Sequence, residues 1–271
     1  MRLYRTTAGP VLEDEGLFRI ADEWDALIDH PHLAGHLRDP ATRRERIERI
    51  EGVLPPLGAQ EVWAAGVTYH RSRTARMEES RDAGGGSFYD RVYEAERPEL
   101  FFKAAPWRVR GPGEPLRVRR DSRWSVPEPE LAVCVNARGA IVGYTVGNDV
   151  SSRDIEGENP LYLPQAKVYD GACGLGPALL VTEEPLPPET AIGLRITRAG
   201  EVAFEGATTL AQMRRSITDL VEFLYRETSF PAGCVLLTGT GIVPPDDFTL
   251  RSADQVVIHI PPIGTLVNPI E

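Results

Sequence analysis

From Glu61 onward the sequence becomes a series of short apolar runs, each closed by a glycine or a proline. Proline breaks a helix interior and glycine weakens it. The 25 glycines and 23 prolines of this 271-residue chain therefore leave little room for long helices. The runs at 131–135, 141–146, 178–182, 192–197, 235–238 and 256–260 suit strands, and 198–201 reads as a hairpin turn. One helix interrupts them. Thr209 and Gln212 have the spacing of a capping box, and Met213, Ile217, Leu220, Val221 and Leu224 line one face until Pro231 forbids continuation. The fold class that follows is β-rich α+β.

Residues 1–60 read as a small N-terminal domain and 61–271 as the main one. Ile20, Trp24, Leu27 and Ile28 recur at helical spacing. Pro40 then opens a charged helix over 41–52, with Ile47 and Ile50 as its apolar teeth and Gly52 as its stop, and 53–60 is a linker. The three glycines within 81–90 mark a loop. Forty acidic against 30 basic residues give a net charge of −10, which argues against nucleic-acid or anionic-membrane partners. Three scattered cysteines form neither a disulfide framework nor a CxxC zinc pattern. No run resembles a signal peptide or approaches the roughly 18 apolar residues of a membrane span. A soluble, cytoplasmic protein is the expectation.

The basic residues are uneven: 28 of 30 are arginine, and the lysines are Lys103 and Lys167. An amine can lose its proton when desolvated and a guanidinium cannot, so both lysines are site candidates. The carboxylates of Glu128 and Glu130 stand two apart at the start of a strand and face the same way. Two adjacent carboxylates repel unless one is protonated or a cation intervenes. A hairpin to the next strand would bring Asp149 beside them. Three oxygen donors without His or Cys suit Mg²⁺, with Mn²⁺ or Ca²⁺ as alternatives. Spacing alone fits three solvated acids, in a chain that has forty, better than it fits a metal site.

The segments PEPELAV, GYTVGNDVSSRD, LPQAKVYDG, GLGP and LLTGTGIVPP occur in this order and resemble the fumarylacetoacetate hydrolase family over about residues 61–271. The resemblance implies a mixed β-sheet roll, a divalent metal held by Glu128, Glu130 and Asp149, and a homodimer or homotetramer. Carbon–carbon hydrolases of the family carry a His–Glu dyad that activates water. Here Ser72 and Ala75 fill those positions. Together with YEAERPELFFK and IEGENPLYLPQAK, this pattern resembles the 2-keto-3-deoxy-pentonate dehydratase branch. The implied reaction forms 2,5-dioxopentanoate from a 2-oxo acid through a metal-bound enolate. Hydrolysis of an acylpyruvate is the alternative, and a non-catalytic 2-oxo-acid binding protein is a further one.

Within that reading Lys167 stands at the substrate, to stabilise the enolate or act as base. Glu99, among Leu100, Phe101 and Phe102, is a candidate proton carrier whose apolar neighbours would raise its pKa. Gly239 and Thr240, in a Thr-Gly-Thr-Gly turn, could hold the substrate carboxylate. Ser72, Arg153 and Gln165 complete the expected substrate contacts, with Arg153 and Asp154 alternatively pairing with each other. Lys103 is expected either to serve the site or to pair with Glu99. The histidines His30, His32 and His36 are read as lying outside the chemistry, and Cys134 and Cys173, in apolar surroundings, as packing residues.

Overall fold

The computed structural model describes residues 1–72 and 91–271. The glycine-rich loop expected at 81–90 and the dyad position Ala75 lie outside the described residues. Strands β1 (Arg2–Tyr4), β2 (Val11–Glu13), β3 (Leu17–Ile20) and β4 (Arg43–Ile47) form an antiparallel meander. Helices α1 (Trp24–Ile28) and α2 (Leu33–Arg38) sit between β3 and β4. Trp24, Leu27 and Ile28 are buried on α1, as their spacing predicts.

The helix expected over 41–52 does not form. Pro40–Thr42 makes one 3-10 turn, capped by the Asp39 carboxylate accepting from Ala41 N, and the chain then runs on as β4. Two isoleucines give a helix no stripe to bury. As an edge strand, Arg43 instead reaches Asp14 at 2.6 Å and lies over the Phe18 ring. The exposed Arg44, Glu45 and Arg46 keep that edge from pairing with another chain.

The main sheet continues through β5 (Glu61–Gly66), β6 (Glu99–Ala104) and the short β7 (Val109–Arg110). Next come β8 (Ser125–Val126), β9 (Pro129–Val135), β10 (Ile141–Asp149) and β11 (Ser151–Ser152). Two short helices, α3 (Arg153–Glu158) and α4 (Leu163–Lys167), precede β12 (Cys173–Leu180). After β13 (Ala191–Arg198) and β14 (Glu201–Thr209) come α5 (Ile217–Tyr225), β15 (Cys234–Leu237), β16 (Gln255–Ile260) and β17 (Gly264–Pro269). The large sheet has the order β4-β3-β2-β1-β12-β10-β9-β15-β5-β6, with β7 added parallel to β12. It is mixed, because β15 runs parallel to β5. A second, antiparallel sheet is ordered β14-β13-β16-β17. Its hairpin turns at Ala199 and Gly200, both at positive φ (52° and 86°), as a tight two-residue turn requires.

Alternation along β9 divides the core. Leu131, Val133 and Val135 join Leu236 of β15, Leu194 and Ile258 of the second sheet, and Leu220 of α5 in one apolar cluster. Ala132 and Cys134, on the other face, pack with Val62, Leu175 and the N-terminal residues Leu3, Leu12, Leu27 and Leu37. The first segment is thus hydrogen-bonded to the large sheet through β1–β12 and also packed against it.

The interrupting helix starts later than its sequence suggests. Thr209 caps nothing; Leu210–Gln212 is a 3-10 turn, and Met213 forms an isolated bridge with Tyr69. The α-helix begins after Ser216, whose hydroxyl accepts from Asp219 N at 3.0 Å. Long-range pairing of Met213 outweighs the local capping box, and Leu220, Val221 and Leu224 still form the buried stripe.

Candidate active site

The paired ends of β9 and β10 place the acids. Glu128 and Asp149 exchange two backbone hydrogen bonds, at 3.2 and 3.0 Å, and Glu130 stands opposite Gly147. Carboxylate oxygens of Glu128, Glu130 and Asp149 all lie within 4.8 Å of one another, and all three residues are buried. Among the described residues no other group of three His, Cys, Asp or Glu side chains meets that spacing. His30 and His36 stack at 4.4 Å, and His36 faces Asp22, apart from this cluster.

Three cationic heads face the three acids. Lys167 Nζ lies 2.7 Å from Glu128 Oε2 and 3.1 Å from Asp149 Oδ2, and donates to Ser151 Oγ at 2.5 Å. Arg153 donates to Glu128 Oε1 at 2.8 Å. Lys103 forms an ion pair with Asp149 Oδ1 and donates to Val150 O at 3.0 Å and Lys167 O at 2.6 Å. Two of its protons thus meet carbonyls, one of them at the C-terminus of α4, where a cation is favourable, while its charge lies against Asp149. The fully buried Lys103 holds a ligand candidate and the backbone of Lys167 at once.

Glu130 is held by the backbone: its Oε2 accepts from Gly239 N at 2.5 Å. Gly239 has φ +92°, and a Cβ there would stand 2.0 Å from Thr68 Oγ1, so the turn admits glycine alone. Burial pushes the Glu130 carboxyl well above its ordinary range, and the charges of Asp149 and Glu128 push it further. Glu130, which accepts from a backbone N–H rather than a cationic head, calls for more positive charge, and the donors of the cluster are all carboxylate oxygens, which fits a small divalent cation such as Mg²⁺. The Lys167 ammonium, wedged between two of the acids, already shows that the cluster accommodates a cationic head.

Glu99 opens β6 opposite Gly66, and a Cβ on Gly66 would stand 2.0 Å from Glu99 Oε2, so the carboxylate lies across that glycine. It shares a strand face with Phe101, whose ring centroid is 5.8 Å from Lys167 Nζ. Glu99 is half-buried, and Phe101 on its strand face packs in the cluster that holds Ala132 and Cys134, the residues that share a face of β9 with Glu130.

The remaining candidates divide. Thr240 is buried, with its hydroxyl accepting from Ile242 N at 3.1 Å. Gly239 spends its N–H on Glu130 rather than presenting it outward. Ser72 is buried, and its Oγ donates to Tyr69 O at 2.8 Å. Arg153 turns to Glu128 and not to Asp154, which accepts from Ser122 Oγ and Arg123 N. Gln165 is exposed on α4, away from the buried cluster. Lys103 pairs with Asp149 rather than Glu99; lysine scarcity signalled it, but its partner was not readable from spacing. The cysteines are free and buried, and burial pushes the Cys173 thiol up to about 12, as suits packing residues.

A rolled mixed sheet with an oxygen-only acidic cluster at its strand ends defines the class. The chain belongs to the fumarylacetoacetate hydrolase family: the family model described as fumarylacetoacetate (FAA) hydrolase C-terminal matches residues 62–271. It is 51% identical over 216 residues to a probable 2-keto-3-deoxyxylonate dehydratase of Haloferax volcanii, covering 79% of this chain and 73% of that protein. It is 45% identical over 221 residues to the 2-dehydro-3-deoxy-D-arabinonate dehydratase of Saccharolobus solfataricus, covering 81% and 74%. A solved 2-keto-3-deoxy-D-arabinonate dehydratase complexed with magnesium and 2,5-dioxopentanoate superposes with a TM-score of 0.85 at 36% identity, covering 100% of this chain and 99% of that one.

Proposed function

We propose that the chain is a magnesium-dependent hydro-lyase that converts a 2-keto-3-deoxy pentonate into 2,5-dioxopentanoate and water. The observation that carries this reading is the buried triad of Glu128, Glu130 and Asp149 braced by Lys167. The similarity to dehydratases over most of the chain supports it. So does Ser72: at the position where the family's hydrolases place a histidine, its hydroxyl is turned back onto the backbone.

Glu128, Glu130 and Asp149 would hold Mg²⁺, which as a Lewis acid makes the C3 hydrogens of a 2-oxo acid more acidic. The Lys167 ammonium offsets the negative charge that develops on the C2 oxygen when a C3 proton leaves. Glu99 carries that proton and returns one to the C4 hydroxyl, which departs as water. One C3–H and one C4–O bond break to leave a C3=C4 double bond; a proton then leaves C5 and one is returned to C3, and the resulting C4=C5 enol passes its O–H proton to C4 to give the aldehyde. Thr240, Ser72 and Arg153 remain the proposed substrate contacts, with Gly239 acting through Glu130 and Gln165 reaching only from the rim.

The test is a panel of 2-keto-3-deoxy acids assayed with and without Mg²⁺. The expected product is an aldehyde that a semialdehyde dehydrogenase oxidises, formed only with the metal. Two carboxylic acids from an acylpyruvate, and no aldehyde from the panel, would replace this reading with carbon–carbon hydrolysis. The cytoplasm is the proposed location, since all three cysteines are free thiols. A homodimer or homotetramer is the proposed assembly. Trp107 and Leu161, 75% and 83% exposed, offer apolar surface for it, and light scattering would measure its mass.

A further inference from the structure

The tract that refuses to become helix, 210–216, touches two parts of the site. Its backbone reaches one of them: Arg214 N donates to Thr68 O at 2.9 Å, beside the Met213–Tyr69 bridge. Thr68 in turn donates through its hydroxyl to Thr238 O at 2.7 Å, at the base of the turn that supplies Gly239. Its side chains reach the other, the segment that leads into Glu99. Arg215 Nη2 donates to Val92 O at 2.8 Å and Ala95 O at 2.7 Å, and reaches Arg97 O at 3.5 Å. Its Nη1 donates to Glu96 O at 3.0 Å. Arg214 adds an ion pair to Glu94 at 2.8 Å and lies over the Tyr93 ring at 4.7 Å.

One guanidinium thus collects carbonyls from the turn at 92–97. A planar fork of five fixed donors can do this, and a single-point ammonium does it poorly. The collected turn ends at Arg97, and after Pro98 the next residue is Glu99. Proline fixes its own φ and restricts the residue before it, so the placement of the turn is transmitted to Glu99 with little slack.

We infer that Arg215 is a positioning residue for the reaction: by gathering the carbonyls of residues 92–97 it fixes where the Glu99 carboxylate lies across Gly66. This rests on the proposed role of Glu99 as proton carrier. The contacts of Arg215 are with this turn and not with the acidic triad or Lys167, so its effect is confined to the proton-transfer half of the site.

The experiment compares Arg215→Met, Arg215→Lys, Glu99→Gln and the double variant Arg215→Met/Glu99→Gln in full-length protein. Turnover is measured, together with Mg²⁺ binding by calorimetry. Displacing a catalytic group by about 1 Å can cost on the order of 10²-fold. Arg215→Met should therefore lower kcat about 10- to 100-fold with Mg²⁺ affinity unchanged. Arg215→Lys, which keeps some carbonyl bonds, should fall between it and the unaltered protein. In the Glu99→Gln background the same change should cost less than about twofold, since the group it positions is gone. The inference is overturned if Arg215→Met turns over within about twofold of the unaltered protein. It is overturned equally if its full cost persists without Glu99, or if Mg²⁺ binding falls with turnover. Should Arg215→Met not fold, the same comparison with Arg215→Lys decides. Glu99→Gln at full activity would sink the proton-carrier reading itself, whereas an inactive Glu99→Gln beside an unaffected Arg215→Met sinks only this inference.

Discussion

The two halves of the proposed site are held in different ways. Glu130 and Asp149 stand on paired central strands with Glu128 just ahead of the first, and each accepts from a cationic head or a backbone N–H within the buried interior. Glu99 begins β6, the last strand of the sheet order, and is half-buried behind a turn gathered by a single arginine. The first half is over-determined, since moving Glu128 or Asp149 strands a buried cation as well. The second is set by one chain segment and can be shifted without disturbing the acids. The difference suits chemistry in which a fixed cluster polarises the substrate while a less confined carboxyl exchanges protons with it.

Glu128→Gln tests the fixed half most severely. It removes a candidate ligand and leaves Lys167 and Arg153 each without one anionic partner. Loss of Lewis-acid stabilisation is worth several kcal/mol, so turnover should fall by at least about 10³-fold. Mg²⁺ binding should disappear in the same calorimetric titration. Undiminished turnover would mean that the reaction does not use this cluster.

Glu99→Gln asks whether the halves are separable. A general acid–base group contributes on the order of 10²–10⁴-fold, so kcat should drop by that factor while Mg²⁺ affinity stays put. If affinity falls alongside turnover, the comparison fails and the site is one coupled unit.

How much of this was legible in the sequence follows the range of the interactions. Glu128 and Glu130 on one strand face are a period-two statement, and the Asp149 partner needs only a hairpin. The strand positions follow the same local rule, which is why 131–135 and 256–260 lie inside observed strands. Lys103 is another matter. It reaches Asp149, far along the chain, because the sheet rolls until β7 meets β12, and no periodicity encodes that closure. The helix expected over 41–52 and the early start expected for α5 fail for the same reason. The 41–52 tract and the residues after Thr209 each have tolerable helical signals. Pairing with β3 in one case, and with Tyr69 and the 92–97 turn in the other, wins by contacts made at a distance.

Lys103→Met sharpens the comparison from the side of stability. The apolar chain fills similar space, but Asp149 loses its ion-pair partner and two backbone carbonyls lose their donor. Breaking a buried pair by removing one partner costs about 3–5 kcal/mol. Urea unfolding of the metal-free variant should show a loss of that size. Part of it should return with Mg²⁺, because the ion restores positive charge beside Asp149. A loss under about 1 kcal/mol would mean that water reaches these groups and that the cluster is not a dry one.

The smallest effect concerns pH. In the metal-free protein Glu130 is raised above its ordinary range by burial and by its two acidic neighbours. The native state therefore binds that proton more tightly than the unfolded chain does. Below the ordinary carboxylate pKa both states are protonated and nothing changes. As pH rises toward the folded value the unfolded chain releases its proton first, and native stability falls. Bound Mg²⁺ reverses the sign, because the ion displaces the proton and favours the ionised form, so its affinity should increase through the same window. At a hundred times its dissociation constant a ligand stabilises by about 2.7 kcal/mol, roughly 2–4 °C of Tm per kcal/mol for a chain of this size. At one fixed Mg²⁺ concentration, the rise in Tm should grow as pH is raised above the ordinary carboxylate range, and Glu130→Gln should flatten that dependence. An increment that does not change with pH would show that metal binding does not compete with a proton on Glu130. The fixed half of the site would then owe its charge balance to Lys103, Lys167 and Arg153 alone.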